Sequence, residues 1–313
     1  MTADTARPFA PDRCPRLVVK IGSALLVDGG TVRRAWLAGV LDDIAERIAA
    51  GQQVAIVSSG SIALGARRLG LAKGGRASLE DAQAAAATGQ IILSQCYTEL
   101  LEARGLTAAQ MLLTLDDLED RRRFLNASAT LDRLLGLGVV PVINENDSVA
   151  TAEIRFGDND RLAARVAQAA DAQGVILLSD IDGLYTANPH SDPTATLVPR
   201  VPRLDAEVMA MADARSASGM GSGGMISKLQ AARIASQAGV ALAIITGRRD
   251  HPLAAFDADG RGTLFEAATG ARAKHAWLAG RLTVKGRILI DAGAVGALGK
   301  GKSLLAAGAR SVE

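Results

Sequence analysis

Short runs of β-branched and aliphatic residues alternate along the chain with stretches in which apolar side chains recur every three or four positions. The short runs predict strands at about 16–21, 53–57, 109–113, 139–143, 174–178 and 240–245. Between the first two, Trp36, Leu37, Val40, Leu41, Ile44 and Ile48 follow the helical period, and 79–102 and 225–238 predict further helices. In the first of these, Ala84, Ala85, Ala86 and Ala87 are small enough to allow close packing. Continuous apolar strands separated by helices describe an α/β protein whose parallel sheet is covered on both faces. The proline-rich stretch 186–202 predicts a loop or hairpin, and 260–270 a boundary.

Polar residues interrupt this pattern in three places. The strand at 139–143 runs directly into 144–160, NENDSVATAEIRFGDND, which carries Glu145, Asp147, Glu153, Asp158 and Asp160 with Asn144, Asn146 and Asn159. Unpaired polar groups are costly to bury, so this cluster does not serve a core. At the C-terminal end of a parallel strand it is placed to meet a ligand. Capping a helix that starts near 157–160 accounts for one or two of these side chains and leaves the rest. The second place is 216–228, SASGMGSGGMISK, a glycine-rich loop entering a helix with Lys228 one turn inside it. Backbone N–H groups of such a loop suit phosphate, which makes a nucleotide the first candidate ligand. The spacing is not that of a Walker A loop, because Lys228 follows Gly224 by four residues. Taken alone, the loop reads equally as a flexible linker. The third place is Lys20 within the apolar LVVKIGS at 17–23, either snorkelling from the strand end or paired and reaching a site.

Together these segments resemble the amino acid kinase family from residue 16 to about 270. The resemblance rests on VVKIGS at 18–23, VSSGSIALG at 57–65, QMLLT at 110–114 and RFLNA at 123–127. It continues through VPVINENDSVATAEI at 140–154, GDND at 157–160, LLSD at 177–180, DGLYTA at 182–187 and SGGMISK at 222–228. Their order, and the pairing of NEND with GDND, make it specific. Ser179 and Ser222 stand where the family usually carries threonine, changes that keep the hydroxyl. The likeness is narrowest to members that phosphorylate the side-chain carboxylate of free L-glutamate, the first step of proline synthesis.

The resemblance implies a three-layer αβα sandwich with a mainly parallel central sheet over 1–270. It implies that Lys20 and Lys228 serve the phosphates of ATP, with Asp160 and Asp158 orienting the lysines. The nucleotide would lie along Lys20, Ser179, Asp180, Ser222, Gly223, Gly224, Met225, Ile226, Ser227 and Lys228, with Ser179 and Asp180 on the adenosine side. Glutamate would be held by Ser59, Asp147 and Asn159, the hydroxyl and amide taking its carboxylate and Asp147 its ammonium. Mg²⁺ would travel on ATP phosphates and water, with no metal cage from the protein. Proline as feedback inhibitor and a homo-oligomer, dimer or tetramer, are also implied. The chemistry is self-consistent: a side-chain carboxylate with a pKa near ~4.3 is already an anion at neutral pH and needs no general base. The histidines, His190, His251 and His275, lie outside the polar clusters. Within the family, acetylglutamate and aspartate kinases are the alternatives, although the acids of NEND favour a free amino group.

A length of 313 residues, 49% hydrophobic, suits roughly two domains. The net charge of +2 gives no footprint for nucleic acid or membrane. Cys14 and Cys96 form neither metal spacing nor a disulfide framework, which predicts a reducing, cytoplasmic setting. The first residues lack an apolar signal region, and no apolar run reaches ~18 residues. The segment 274–313 resembles the opening half of the PUA domain that follows the kinase domain in many of these enzymes, a short β-rich tail. It raises a non-catalytic, RNA-binding or regulatory role as the reading from a different class.

Overall fold

The computed structural model describes residues 5–149, 159–189, 191–213, 224–268, 288–299 and 306–312. Every strand expected from the apolar runs is present: β1 (Arg16–Ile21), β2 (Gln53–Val57), β3 (Ala108–Leu113), β4 (Val140–Glu145), β5 (Gly174–Ser179) and β7 (Ala241–Thr246). Two short ones join them, β6 (Arg200–Val201) and β8 (Thr263–Phe265). The helices that matter for the site are α1 (Arg34–Ala49), α2 (Ser61–Leu69), α3 (Leu79–Glu102), α4 (Arg121–Gly136), α5 (Asn159–Ala169), α6 (Ala206–Asp213), α7 (Met225–Gln237) and α8 (Pro252–Asp259). All eight strands form one sheet in the order β3-β4-β2-β1-β5-β7-β8-β6. From β3 to β7 the sheet is parallel throughout. β8 runs antiparallel to β7, and β6 pairs parallel with β8.

Successive strand side chains point to opposite faces. Leu17, Val19 and Ile21 therefore meet Leu37, Leu93 and Phe256 from α1, α3 and α8 on one face. Val18 lies on the other with Leu131, Leu162 and Leu229 from α4, α5 and α7. Helices thus cover both faces of the sheet, the sandwich implied by the sequence. Lys20, two residues on from Val18, belongs to the α5/α7 face, and the site depends on this.

α2 and α3 pack closer than side chains normally allow. A Cβ on Gly65 would lie 1.8 Å from the Ala85 carbonyl oxygen, and one on Gly89 would lie 1.8 Å from that of Ser61. Ala82, Ala85 and Ala86 complete the contact with Ile62 and Ala66, as the small residues of α3 suggest. Ser78 caps α3, its side chain accepting from the Asp81 N–H. This contact fixes the start of α2 beside the ends of the strands.

The stretch 186–202 takes the hairpin form, with Tyr185 bridging Leu197 in antiparallel fashion, and it ends in β6 at the edge of the sheet. One expectation changes: 260–270 is not all boundary, because Thr263–Phe265 is a strand of the central sheet. The chain divides into compact units at 1–277 and 278–313. Within the second, β9 (Ile288–Ile290) pairs antiparallel with β10 (Ala309–Val312), with α9 (Ala292–Gly299) between them. No helix among the described residues is long and apolar enough to cross a membrane.

Gly65→Ala should lower stability by at least ~3 kcal/mol, because backbone, not a flexible side-chain end, occupies the space the new methyl needs. Urea denaturation of both proteins measures this, and a loss below about 1 kcal/mol would show that the helix contact yields easily.

Candidate active site

Parallel strands deliver their C-terminal ends to one edge of a sheet. The chain leaves β1 at Gly22, β2 at Ser58, β4 at Asn146 and β5 at Asp180, and a cavity of about 840 Å³ lies there. Gly60 makes the turn from β2 into α2 with φ +106, and a Cβ there would lie 2.8 Å from Val27 Cγ2, so only glycine fits.

At the floor of the cavity the Lys20 Nζ lies 2.6 Å from Asp160 Oδ1, and the Lys228 Nζ donates to Asp160 Oδ2 at 2.9 Å. One carboxylate thus ties together β1, α5 and α7. All three side chains are buried, and Asp160 is only 2% exposed. Burial works against its charge, but the Lys20 and Lys228 ammoniums outweigh it and hold the carboxyl at about 2. Gly224 and Met225 at the start of α7 also line the cavity, and no side chain among the described residues caps that helix. Two buried ammoniums beside such a helix N-terminus are suited to an anion.

Elsewhere the same cavity is acidic. Asp147 is 7% exposed; its Oδ2 accepts weakly from Ser61 Oγ at 3.5 Å, and its Oδ1 has no hydrogen-bond partner. Burial raises this carboxyl to about 6, with Ser61 and the Arg76 charge pulling the other way. Beside it, Asn144 Nδ2 donates to Ser61 Oγ (3.3 Å) and Gln90 Oε1 (2.8 Å). The Asn159 amide is committed inside the protein, with Nδ2 donating to the Ser58 carbonyl (2.9 Å), Ser59 Oγ (2.7 Å) and Asn144 Oδ1 (3.2 Å). Its own Oδ1 is buried without a partner. The sequence reading gave this amide to a carboxylate. Its free atom is an acceptor, which suits a cation.

The structure therefore brings Lys20, Ser59, Asp147, Asn159, Ser179, Asp180, Gly224, Met225 and Lys228 around one cavity, with Asp160 beneath the lysines. Ile226 and Ser227 do not line it; Ile226, one step further round the helix, packs against the core. Asp158, Ser222 and Gly223 lie outside the described residues. On the β5–β7 side, Ser179 Oγ donates to Asp180 Oδ1 (3.1 Å), and Arg248 Nε donates to the Asp180 carbonyl (2.8 Å). Asn144, marked in the polar cluster, also lines the cavity, whereas Ser61, Arg76, Tyr185 and Arg248 line it without having been singled out in the sequence. Ser61 and Tyr185 sat within quoted motifs and were open to recognition, whereas Arg76, in a glycine-rich surface turn, carried no signal. No group of three His, Cys, Asp or Glu able to hold a metal occurs among the described residues.

Comparison with known proteins identifies a family and a fold. The amino acid kinase family matches residues 15–247. A glutamate 5-kinase of Sphingopyxis alaskensis is 71% identical over 305 residues, covering 97% of this chain and 82% of that protein. One of Zymomonas mobilis is 66% identical over 306 residues, covering 97% of this chain and 77% of that protein. Among solved structures, UMP kinase from Bacillus anthracis superposes with a TM-score of 0.53 at 15% identity, over 82% of this chain and 97% of that one. Isopentenyl phosphate kinase does so with 0.53 at 18%, over 80% and 99%, a likeness of fold.

The two buried acids should respond oppositely to neutralisation. The carboxyl of Asp160 is depressed, so its stabilisation is present above the unfolded value near 3.8 and is lost as pH falls toward 2. Asp147 is raised, so its ionisation destabilises the fold as pH climbs from about 4 through 6. At pH 7, Asp160→Asn should lose ~3–5 kcal/mol by stranding two ammoniums. Asp147→Asn should gain on the order of 2 kcal/mol. Denaturation curves between pH 3 and pH 8 test both, and the same sign for the two variants at pH 7 would refute the assignment of charge.

Proposed function

The chain belongs to the amino acid kinase family, and from that premise we propose that it transfers the γ-phosphoryl group of ATP to the side-chain carboxylate of L-glutamate. The product is L-glutamyl 5-phosphate, and the step opens proline biosynthesis. The observation that carries the reading is one cavity holding both a buried acid with an unused oxygen, Asp147, and a buried lysine pair joined by one carboxylate. High identity to proteins named glutamate 5-kinase supports the same substrate. N-acetylglutamate, lacking the ammonium, would leave Asp147 buried and unmatched.

Each residue's part follows from its chemistry. The ammonium of glutamate carries three N–H donors, and Asp147 Oδ1 with Asn159 Oδ1 supply unused acceptors. The hydroxyl of Ser59 accepts from Asn159 and retains its own hydrogen for the substrate carboxylate. At the other end the ionised side-chain carboxylate attacks phosphorus in line, and negative charge spreads over the equatorial oxygens. Lys20 and Lys228 stand where that charge develops, oriented by Asp160; Gly224 and the first N–H groups of α7 face the same anion. The nucleotide extends past Ser179 and Asp180. No base is needed, and His251, bonded to Asp43, lies outside the cavity. Mg²⁺ would be held by the ATP phosphates and water rather than by a cage of protein carboxylates, and would supply charge neutralisation.

The setting is cytoplasmic, which suits two buried, unpaired cysteines. Self-association is supported by the exposed Ile91, Leu125 and Leu137. Proline, an α-amino acid whose secondary ammonium and carboxylate share one carbon as those of glutamate do, competes at Asp147 and Asn159.

Hydroxylamine trapping of the acyl phosphate tests the reaction. Glutamate should yield a hydroxamate, with N-acetylglutamate and aspartate giving at most a few per cent of that rate, and proline should raise the glutamate KM. Turnover of N-acetylglutamate without glutamate would sink the proposal, and glutamate kinetics unchanged at saturating proline would remove the inhibitor.

A further inference from the structure

Among the described residues four cations line the cavity, and three are engaged. Lys20 and Lys228 share Asp160, and Arg248 is tied to the Asp180 carbonyl. The guanidinium of Arg76 makes no hydrogen bond among the described residues, although it lines the same cavity as Asp147. Its backbone is pinned. Gly75, with φ +75, is wedged between α2 and α3, where a Cβ would lie 2.9 Å from Ala66 Cβ and 3.1 Å from Ala85 Cβ. The side chain of Arg76 extends from that anchor, exposed.

An α-amino acid carries its ammonium and carboxylate on one carbon, so a site that pairs the ammonium with Asp147 receives the carboxylate close by. The Asn159 N–H groups are already used; the Ser59 hydroxyl, the Arg76 guanidinium and the uncapped N–H groups at the start of α2 line the cavity as donors, and of these Arg76 alone carries a charge. A planar guanidinium matches a carboxylate with two parallel hydrogen bonds, and a flexible ammonium does not. We propose that Arg76 is a specificity-determining clamp for the α-carboxylate of the amino-acid substrate. The clamp rests on the glutamate reading above and deepens it. With Arg76 and Asp147 fixing one end of the substrate and the Lys20–Lys228 pair the other, the spacing between them measures the side chain. The charge of Arg76 already acts on Asp147, in keeping with their sharing one end of the site.

The test compares glutamate with L-isoglutamine, which keeps the ammonium and side-chain carboxylate but has a neutral amide in place of the α-carboxylate. Wild type should show a KM for isoglutamine, or a Ki for it as a competitor, at least ~10-fold above the glutamate KM, the loss expected for one charge-assisted contact. Arg76→Ala should raise the glutamate KM by a similar factor while leaving the isoglutamine value and the ATP KM within about twofold. Arg76→Lys should fall between the two. An Arg76→Ala protein with an unchanged glutamate KM, or one that weakens both substrates or ATP alike, overturns the clamp. Failure of the wild type to phosphorylate glutamate at all would instead overturn the reading on which it rests.

Discussion

The shared carboxylate of Asp160 is the interaction on which the rest of this site depends. It accepts from Lys20 at 2.6 Å and Lys228 at 2.9 Å, and so fastens the central strand β1 to α5 and α7. The strand period dictates the arrangement: with Val18 turned toward these helices, Lys20 must follow. Burying three ions is costly, and the shared carboxylate offsets that cost by pairing them. On the proposed function this is preorganisation, since the charges that meet a phosphoryl group are set before it arrives.

The opposite end of the cavity is arranged by packing. Close approach of α2 and α3 through Gly65 and Gly89 sets Gly60, Ser61 and Gly75 beside the strand ends. Ser58 is held from behind by the buried hydroxyl of Tyr97 at 3.0 Å. Against this scaffold Asp147 keeps a buried oxygen that accepts no hydrogen bond among the described residues, an arrangement that lowers stability. A free amino acid with an acidic side chain, meeting ATP as proposed, would bring a cation to that end of the cavity and an anion to the lysine end.

Much of this was legible in the sequence because the signals were local. Unbroken apolar runs identified the parallel strands, and acids and amides at a strand end could belong only to a site. Lys20 was conspicuous as a charge inside such a run. Other features were hidden because they depend on contacts distant along the chain. β8 is three residues long and antiparallel, too short for periodicity to register, so its segment read as a boundary. The role of Asn159 inverted because its amide hydrogens are taken by Ser58, Ser59 and Asn144, partners set by the tertiary fold. Arg76 is an exposed arginine in a glycine-rich turn, and nothing but its position on the cavity distinguishes it.

The central claim is that Lys20, Asp160 and Lys228 act as one unit on one transferred phosphoryl group. A double-mutant cycle on kcat with Lys20→Met and Lys228→Met, which keep the apolar stems, tests it most directly. If the lysines share Asp160 and one anion, removing either disables the unit, and the double variant should be little slower than the worse single one. Losses that multiply, with free energies adding to within about 0.5 kcal/mol, would mean that the two lysines work independently, and the account would fail.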